Sequence, residues 1–407
     1  MTIINMEDGF IEIEEGLAKI LAPNPEIFRD EKGYYDPAWA PVFYNPRMRI
    51  SRDLSSVVIS VFSEISSRKK LKVIDALGAT GIRGIRYALE NKSIVERVII
   101  NDINDVAIKI IEKNVKMNGL EGVVEITNED AVTLLTRTRG FDVIDIDPFG
   151  SPAPFAEAAL RAVNHGGLVC YTATDLPPLV GNYPKTCIRK YFSKSLKTEF
   201  SKEIGLRILV YFIAREAAKI GKTALPIFSY YSDHHYRACF QILSTKSRHS
   251  MLPENVGYVY YCPKCLQRGI IQGIIPSLPS ECGFCGNKEI IYGGPIWINL
   301  LWDINFVQKM YQKYSLLLKK HNLSKKGFRI LEKINQELAD IVFYYQLDRL
   351  SSVYNISHEP SLNKVISSLV SQGYRASLTH FDPKGFKTDA PLAEVVKTLK
   401  SLTPELR

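Results

Sequence analysis

The sequence predicts an α/β protein: a mostly parallel sheet with helices on both faces, followed by a C-terminal α+β portion. Three observations carry this. Between Lys70 and Ala173, short runs rich in Val and Ile alternate with helix-length amphipathic stretches, the pattern of successive βαβ units. The first loop of that alternation, Gly78-Ala-Thr-Gly81-Ile-Arg-Gly84, joins a strand to a helix through three glycines. Further on, two Cys-x-x-Cys pairs stand 16 residues apart, which sets a second region off from the first.

Taken in order, residues 1–50 read as an irregular leader with strand character at Phe10-Ile-Glu-Ile-Glu14, closing on Pro41-Val-Phe-Tyr-Asn-Pro46. Such a turn-rich aromatic run either covers a sheet or forms a lid over a ligand. Ser51 is placed to cap a helix running to about Ser66. The repeating part then gives strands at Leu71–Asp75, Arg97–Asp102, Val123–Ile126, Val143–Ile146 and Gly167–Ala173. Helices fill the gaps, from Gly84 to Asn91, Asn104 to Met117, and Pro152 to Val163. A helix near Glu199–Ile220 and an antiparallel pair, Pro226–Tyr231 and Tyr236–Leu243, complete this part. Beyond the cysteines, Trp302–His321 and Gly327–Tyr345 read as helices. Ser361–Gln372 followed by Tyr374–His380 and a turn at Asp382–Gly385 reads as a helix with a wing. The expected domains are 1–247, with 1–50 as leader or lid, and 248–407, with the cysteine segment at about 255–295.

At 407 residues the chain exceeds one ordinary core, so two domains are expected. Its 46% hydrophobic and 23% charged residues are those of a globular protein. No apolar run reaches the roughly 20 residues that span a membrane. The start, Met1 to Asp8, lacks the basic stretch and apolar core of a signal peptide, so a cytoplasmic location is expected. A net charge of +9 suits a polyanionic partner. Positive charge gathers at 185–222, with ten Lys/Arg against three acidic residues, and at 309–329, with seven against none. Cys170, Cys187 and Cys239 stand singly, and seven cysteines without a secretion signal argue against a disulfide framework.

The chemistry-bearing residues fall at strand ends, where open α/β sheets bind ligands. After the fourth strand come Asp147, Pro148 and Phe149. A carboxylate, a rigid proline carbonyl and an aromatic ring suit the holding of a nucleobase by its exocyclic amine; the alternative is a simple strand-to-helix turn. Asp102 ends the second strand, where an acid can accept ribose hydroxyls, and Asp130 ends the third, within reach of an adenine amine. Together with the glycine loop these point to an adenosine-containing cofactor. The spacing Gly78-x-x-Gly81-x-x-Gly84 departs from the Gly-x-Gly-x-x-Gly of nicotinamide sites. With Asp75 inside the preceding strand, it suits S-adenosylmethionine, Asp75 lying near the amino-acid end. His234 and His235 have no ligand-like spacing. Cys262, Cys265, Cys282 and Cys285 have the spacing of a closed thiolate site for a structural zinc ion.

Several stretches together resemble the archaeal branch of the tRNA (guanine-26-N2)-dimethyltransferases. They are Pro41–Pro46 with Ser51-Arg-Asp53, Gly78–Arg86, Asp147-Pro-Phe-Gly-Ser-Pro152, the cysteine pairs, and Thr379-His-Phe-Asp-Pro-Lys-Gly-Phe-Lys-Thr-Asp-Ala-Pro391. The resemblance implies a Rossmann-like S-adenosylmethionine-dependent methyltransferase with tRNA as its partner and no membrane. By motif, it implies that Arg52, Arg83, Asp102, Asp130 and the backbone of Ala131 hold the cofactor. Phe43 and Phe149 would stack on a flipped guanine, and Asp147 would take its amine and the released proton. Whether Arg83 or Arg86 faces the cofactor stays open. The motif also departs from the Asp/Asn-Pro-Pro-aromatic order of other amino-methyltransferases, since here the aromatic is third and glycine fourth. Rival readings are an amino-methyltransferase acting on another RNA guanine or on adenine N6, and a non-enzymatic RNA-binding protein built around the zinc segment.

Overall fold

The computed structural model describes residues 9–33, 35–244 and 252–403. The expected domain boundary at 247 and the first eight residues lie outside them.

The leader is more regular than its sequence suggests. Strands β1 (Phe10–Glu15) and β2 (Ala18–Pro23) form an antiparallel hairpin, with Ile13 opposite Ile20. A short 3-10 turn at Pro46–Met48, capped by the Asn45 side chain, runs directly into α1 (Arg49–Ser66). Ser51 is therefore buried inside the helix rather than capping it, because Asn45-Pro46 already supplies a capped start.

The βαβ repeat follows as expected: β3 (Leu71–Asp75), α2 (Ile82–Glu90), β4 (Val95–Asn101), α3 (Asp105–Met117), β5 (Val124–Thr127), α4 (Ala131–Arg137), β6 (Phe141–Ile146), α5 (Ala156–Ala162) and β7 (Val163–Ala173). Then come α6 (Leu176–Leu179), α7 (Pro184–Tyr191), α8 (Ser201–Lys219), β8 (Lys222–Ser232) and β9 (His235–Ser244). The seven strands lie in the order β5-β4-β3-β6-β7-β9-β8, parallel except where β9 runs against β7 and β8 against β9. Chain order reverses between β3 and β6, and that switch point opens a crevice at their carboxyl ends. The hairpin sits beside α3: Asn114 and Asn118 accept from the amides of Leu21 and Lys19 and donate to their carbonyls. These side chains satisfy an otherwise open strand edge.

Cys170 and Cys239, single cysteines in the sequence, face each other across β7 and β9 and form a disulfide. The residues are 69 apart, so only the strand pairing brings them together.

The C-terminal part begins with a three-stranded sheet of β10 (Val256–Tyr261), β11 (Arg268–Gln272) and β12 (Ile291–Trp297), with β10 in the middle. Helices α9 (Ile304–Lys320) and α10 (Lys325–Gln336) are capped by Asp303 and Ser324. The second ends well before the expected Tyr345, because Glu337 leaves the helix to enter a buried cluster. A second three-stranded sheet of β13 (Tyr345–Gln346), β14 (Ala376–Leu378) and β15 (Gly385–Thr388) is surrounded by α11 (Leu347–Val353), α12 (Leu362–Ser371) and α13 (Leu392–Ser401). The expected helix and wing correspond to α12 and the β14–β15 hairpin.

The two parts share one apolar core and a buried charge cluster. Lys387 Nζ lies 2.9 Å from Glu337 and 3.4 Å from Glu203 of α8, all three fully buried. Arg207 also binds Glu203, at 2.8 Å, and His380 Nδ1 meets Glu337 at 2.7 Å. Tyr231 of β8 donates its amide to His380 Nε2, which leaves Nδ1 to carry the proton. Among the described residues no helix is long and apolar enough to cross a membrane.

Candidate active site and metal centre

A cleft of about 400 Å³ opens at the β3–β6 switch point. Its wall includes Phe43, Arg52, Asp75, Gly78, Arg83, Asp147 and Phe149, so most of the sequence-selected residues converge there. Asp102, Asp130 and Ala131 do not line it.

Three carboxylates crowd together here, of which Asp75 and Asp147 line the cleft. Asp75 and Asp145 are directly paired across β3 and β6, and Asp147 follows just beyond. Two buried guanidiniums face them. Arg237 of β9 grips Asp145 with two hydrogen bonds, of 2.9 and 2.5 Å, and Tyr87 donates to the same carboxylate. Arg83 donates to Asp147 Oδ2 and lies 3.7 Å from Asp145. Burial would raise the Asp147 pKa, but Arg83 and Arg237 overcome it and hold the group at about 2. Asp75 goes the other way: burial and the neighbouring Asp145 push it up to about 7. Asp75 therefore carries only part of a charge near neutral pH. Its Oδ2 accepts from the Gly84 amide, while the buried Oδ1 is left without a partner among the described residues.

The two arginines that sequence left open are now distinguished. Arg83 lines the cleft, whereas Arg86 is fully buried beneath it, paired with Glu15 at 2.8 Å, Asp53 at 2.6 Å and Glu90 at 2.7 Å. Arg52 reaches the cleft but arrives already paired: its Nε and Nη2 each bind Glu15 at 2.6 Å. Glu15, held at about 2 against its burial by Arg52 and Arg86, thereby ties the β1–β2 hairpin to α1 and α2.

The glycine loop is built by internal contacts. Gly81 has φ +77° at the start of α2, and a Cβ at Gly78 or Gly84 would strike Ile100 of β4 at 2.5–2.6 Å. Asp102 closes this loop, accepting from Ala79 N at 2.8 Å and Asn104 N at 2.9 Å. Asp130 is exposed and caps α4 by accepting from Thr133 N at 2.8 Å, the role of a helix-start aspartate.

Phe43 and Phe149 meet edge to face, with ring centroids 5.7 Å apart and planes inclined by 62°. A base sandwiched between them needs two stacking gaps, so the rings must part and turn to admit one. Phe149 is 75% exposed and free to do so. Behind it Gly150, at φ +101°, is clamped to Thr174 by the Gly150 amide at 2.7 Å and the Thr174 amide at 2.9 Å.

Sequence reading missed Asp145, Arg237 and Glu15. A signal existed for the first two. Each is a charge inside an otherwise apolar buried strand, which demands a partner. Their pairing, across 92 residues, was not readable.

The four cysteine Sγ atoms lie within 4.8 Å of one another, with Cys262–Cys285 at 3.7 Å and Cys265–Cys282 at 3.5 Å. Tetrahedral zinc at thiolate distance has S–S edges of about 3.8 Å, so the donor set fits. The two knuckles share one geometry. Leu266 and Gly286, each just past the second cysteine of its pair, take φ +64° and +69° and return an amide to the first cysteine's carbonyl at 2.8 Å.

The N2,N2-dimethylguanosine tRNA methyltransferase family model matches residues 25–400. The tRNA (guanine(26)-N(2))-dimethyltransferase of Saccharolobus islandicus is 39% identical over 396 residues, 96% of this chain and 99% of that one. That of Methanosphaera stadtmanae is 37% identical over 386 residues, 94% and 95% of the two chains. Trm1 from Pyrococcus horikoshii, solved with S-adenosyl-L-methionine, superposes with a TM-score of 0.81 at 36% identity, covering 95% of this chain and 99% of that one.

Proposed function

The chain belongs to the N2,N2-dimethylguanosine tRNA methyltransferase family, and on that premise we propose that it methylates the exocyclic N2 of guanine 26 in tRNA, once or twice, with S-adenosylmethionine as donor. The observation that carries this reading is the cleft floor, where the ionised Asp147 stands beside Asp75 with its unpartnered oxygen.

S-adenosylmethionine, when bound, supplies a methyl group already activated by its sulfonium centre. The chain's task is to hold and orient. Asp75 Oδ1 is suited to the amino-acid ammonium, whose charge would favour the ionised form of Asp75. Gly78 and Asp102 support the nucleoside end. Guanine N2 is a weak nucleophile because its lone pair is shared with the ring. Asp147 and a neighbouring backbone carbonyl accept its two hydrogens and draw the nitrogen towards tetrahedral geometry. Arg83 keeps Asp147 ionised and oriented from the other side. At a pKa of about 2, Asp147 is a hydrogen-bond acceptor rather than a lasting proton store. The methylated ammonium is itself strongly acidic, so its proton passes on to solvent.

Extracting the guanine costs a few kcal/mol. Stacking on Phe43 and Phe149, at roughly 1–3 kcal/mol per stacked base, offsets much of that. The C-terminal part, with zinc held by Cys262, Cys265, Cys282 and Cys285, serves tRNA binding and takes no part in the chemistry. Four thiolates leave the metal no open position. This activity belongs in the cytoplasm with the tRNA pool. Nucleoside mass spectrometry of an unmodified tRNA transcript after reaction tests the reading. N2-methyl- and N2,N2-dimethylguanosine at position 26 are expected, and methyladenosine with unmodified guanine would replace it with the adenine alternative.

A further inference from the structure

A second groove, of about 680 Å³, starts where the catalytic cleft ends. Phe149 lines both, and the groove runs over the Ala153–Phe155 turn and α8 to Phe192 at the end of α7. Phe192 has φ +54°, at the position after a helix where glycine is usual, and its ring is 56% exposed. One face of that ring is covered by the Arg215 guanidinium, 3.9 Å from the centroid, and Glu216 pairs with Arg215. The ring is thus braced from behind and open in front.

The segment carrying it is fixed to the catalytic rim. Tyr191 donates to Asp175 at 2.7 Å and lies 2.8 Å from Ser151, while Lys190 meets Asp175 at 2.8 Å. Between 176 and 198 there are five Lys/Arg and no acidic residue. Lys185, Arg189, Lys194 and Lys197 are exposed, and among the described residues none of them is joined to a carboxylate. Tyr183 and Ile188 lie exposed among them. Lys185 and Arg189, four apart on α7, share a face.

We propose that this groove is an RNA subsite: a nucleotide flanking the target guanine stacks on Phe192, and Lys185 and Arg189 hold the adjoining phosphates. An aromatic platform beside unpaired cations is the pattern of single-stranded nucleic-acid binding, and a guanine drawn out of its stack leaves its strand neighbours in need of such support. The subsite rests on the methyltransferase reading above, since it takes its occupant from the strand that enters the catalytic cleft.

The test uses the full chain and an unmodified tRNA transcript. Phe192→Ala is expected to raise KM for tRNA about tenfold, with kcat and S-adenosylmethionine affinity little changed, and Phe192→Trp to restore it. Lys185→Ala with Arg189→Ala is expected to lower the slope of log affinity against log salt by about 1–2. A p-benzoylphenylalanine at position 192 is expected to cross-link to nucleotides flanking the target guanine. Wild-type KM in Phe192→Ala, or a cross-link elsewhere in the tRNA or none, overturns the subsite, leaving the patch as a face for a protein partner. Those results leave catalysis by the wild-type chain intact. A wild-type chain that does not methylate tRNA overturns the function itself.

Discussion

Arg83 donates to Oδ2 of Asp147, so the acid expected to receive the guanine amine is already paired and ionised. The pairing spans 64 residues and joins the helix after the glycine loop to the end of β6. It gives Arg83 a role that a cofactor contact alone would not explain: holding a buried carboxylate in its charged form.

Replacing Arg83 with Met removes that counter-charge, and burial then raises the Asp147 pKa from about 2. Activity in the wild type carries no acid limb from this group at ordinary pH. In the variant a limb is expected roughly 1–3 pH units higher, together with a fall in turnover of at least about tenfold. A pH–rate profile checks this, and superimposable profiles would count against the pairing.

Asp75 titrates in the opposite sense. Its native pKa of about 7 lies above the ordinary 3.8, so the folded protein binds this proton more tightly than the unfolded chain does. Ligand-free stability from this source is present at low pH and is lost as pH rises from about 4 to 7. Asp75→Asn is expected to melt above the wild type at pH 8 and level with it near pH 4. It is also expected to bind S-adenosylmethionine about tenfold or more weakly. Scanning calorimetry at the two pH values, with titration of the cofactor, measures both.

Lys387 is fully buried between Glu203 and Glu337. Lys387→Met strands both acids and is expected to cost about 3–5 kcal/mol at pH 7. Burial would raise the Glu337 pKa, but Lys387 and His380 hold it at about 2. The stabilisation is therefore present above about pH 4.5 and is lost as pH falls towards 2. Denaturant unfolding at pH 7 and at pH 3 should show the gap between variant and wild type narrowing at the lower pH.

Zinc removal is expected to loosen the segment from Val256 to Trp297 while the main sheet persists. The segment is fastened outward through Arg268, which pairs with Glu199 and donates to the Tyr344 carbonyl at 2.8 Å. Tyr354 donates to the Cys265 carbonyl at 2.8 Å. Strong chelation should therefore weaken tRNA binding with little change in cofactor affinity. Metal analysis finding no zinc in freshly purified protein would count against the centre.

The parts of this molecule that sequence reveals are those in which structure is set by neighbours along the chain. The strand–glycine–helix turn at 78–84, the stop at Asp147-Pro148 and the cysteine pairs each encode local geometry, and their positions were readable. Pairings made by folding were not. Nothing near Glu15 announces that it binds Arg52 and Arg86, and nothing near Cys170 announces Cys239. Ser51 has the residue type of a helix cap, yet the Asn45-Pro46 turn starts its helix earlier. The helical pattern after Gly327 continues past Glu337, whereas the buried cluster with Lys387 and His380 draws the chain away there. Asp130 caps α4 through Oδ1, a local contact that a helix-start aspartate also makes without any ligand.

The central claim is that Asp147 is the ionised acceptor for the guanine amine. Asp147→Ala, assayed by mass spectrometry of nucleosides from a tRNA transcript run to completion, tests it most directly. Methyl transfer is expected to fall at least about a hundredfold, with S-adenosylmethionine binding by calorimetry retained. Wild-type levels of methylated guanosine in that variant would contradict it.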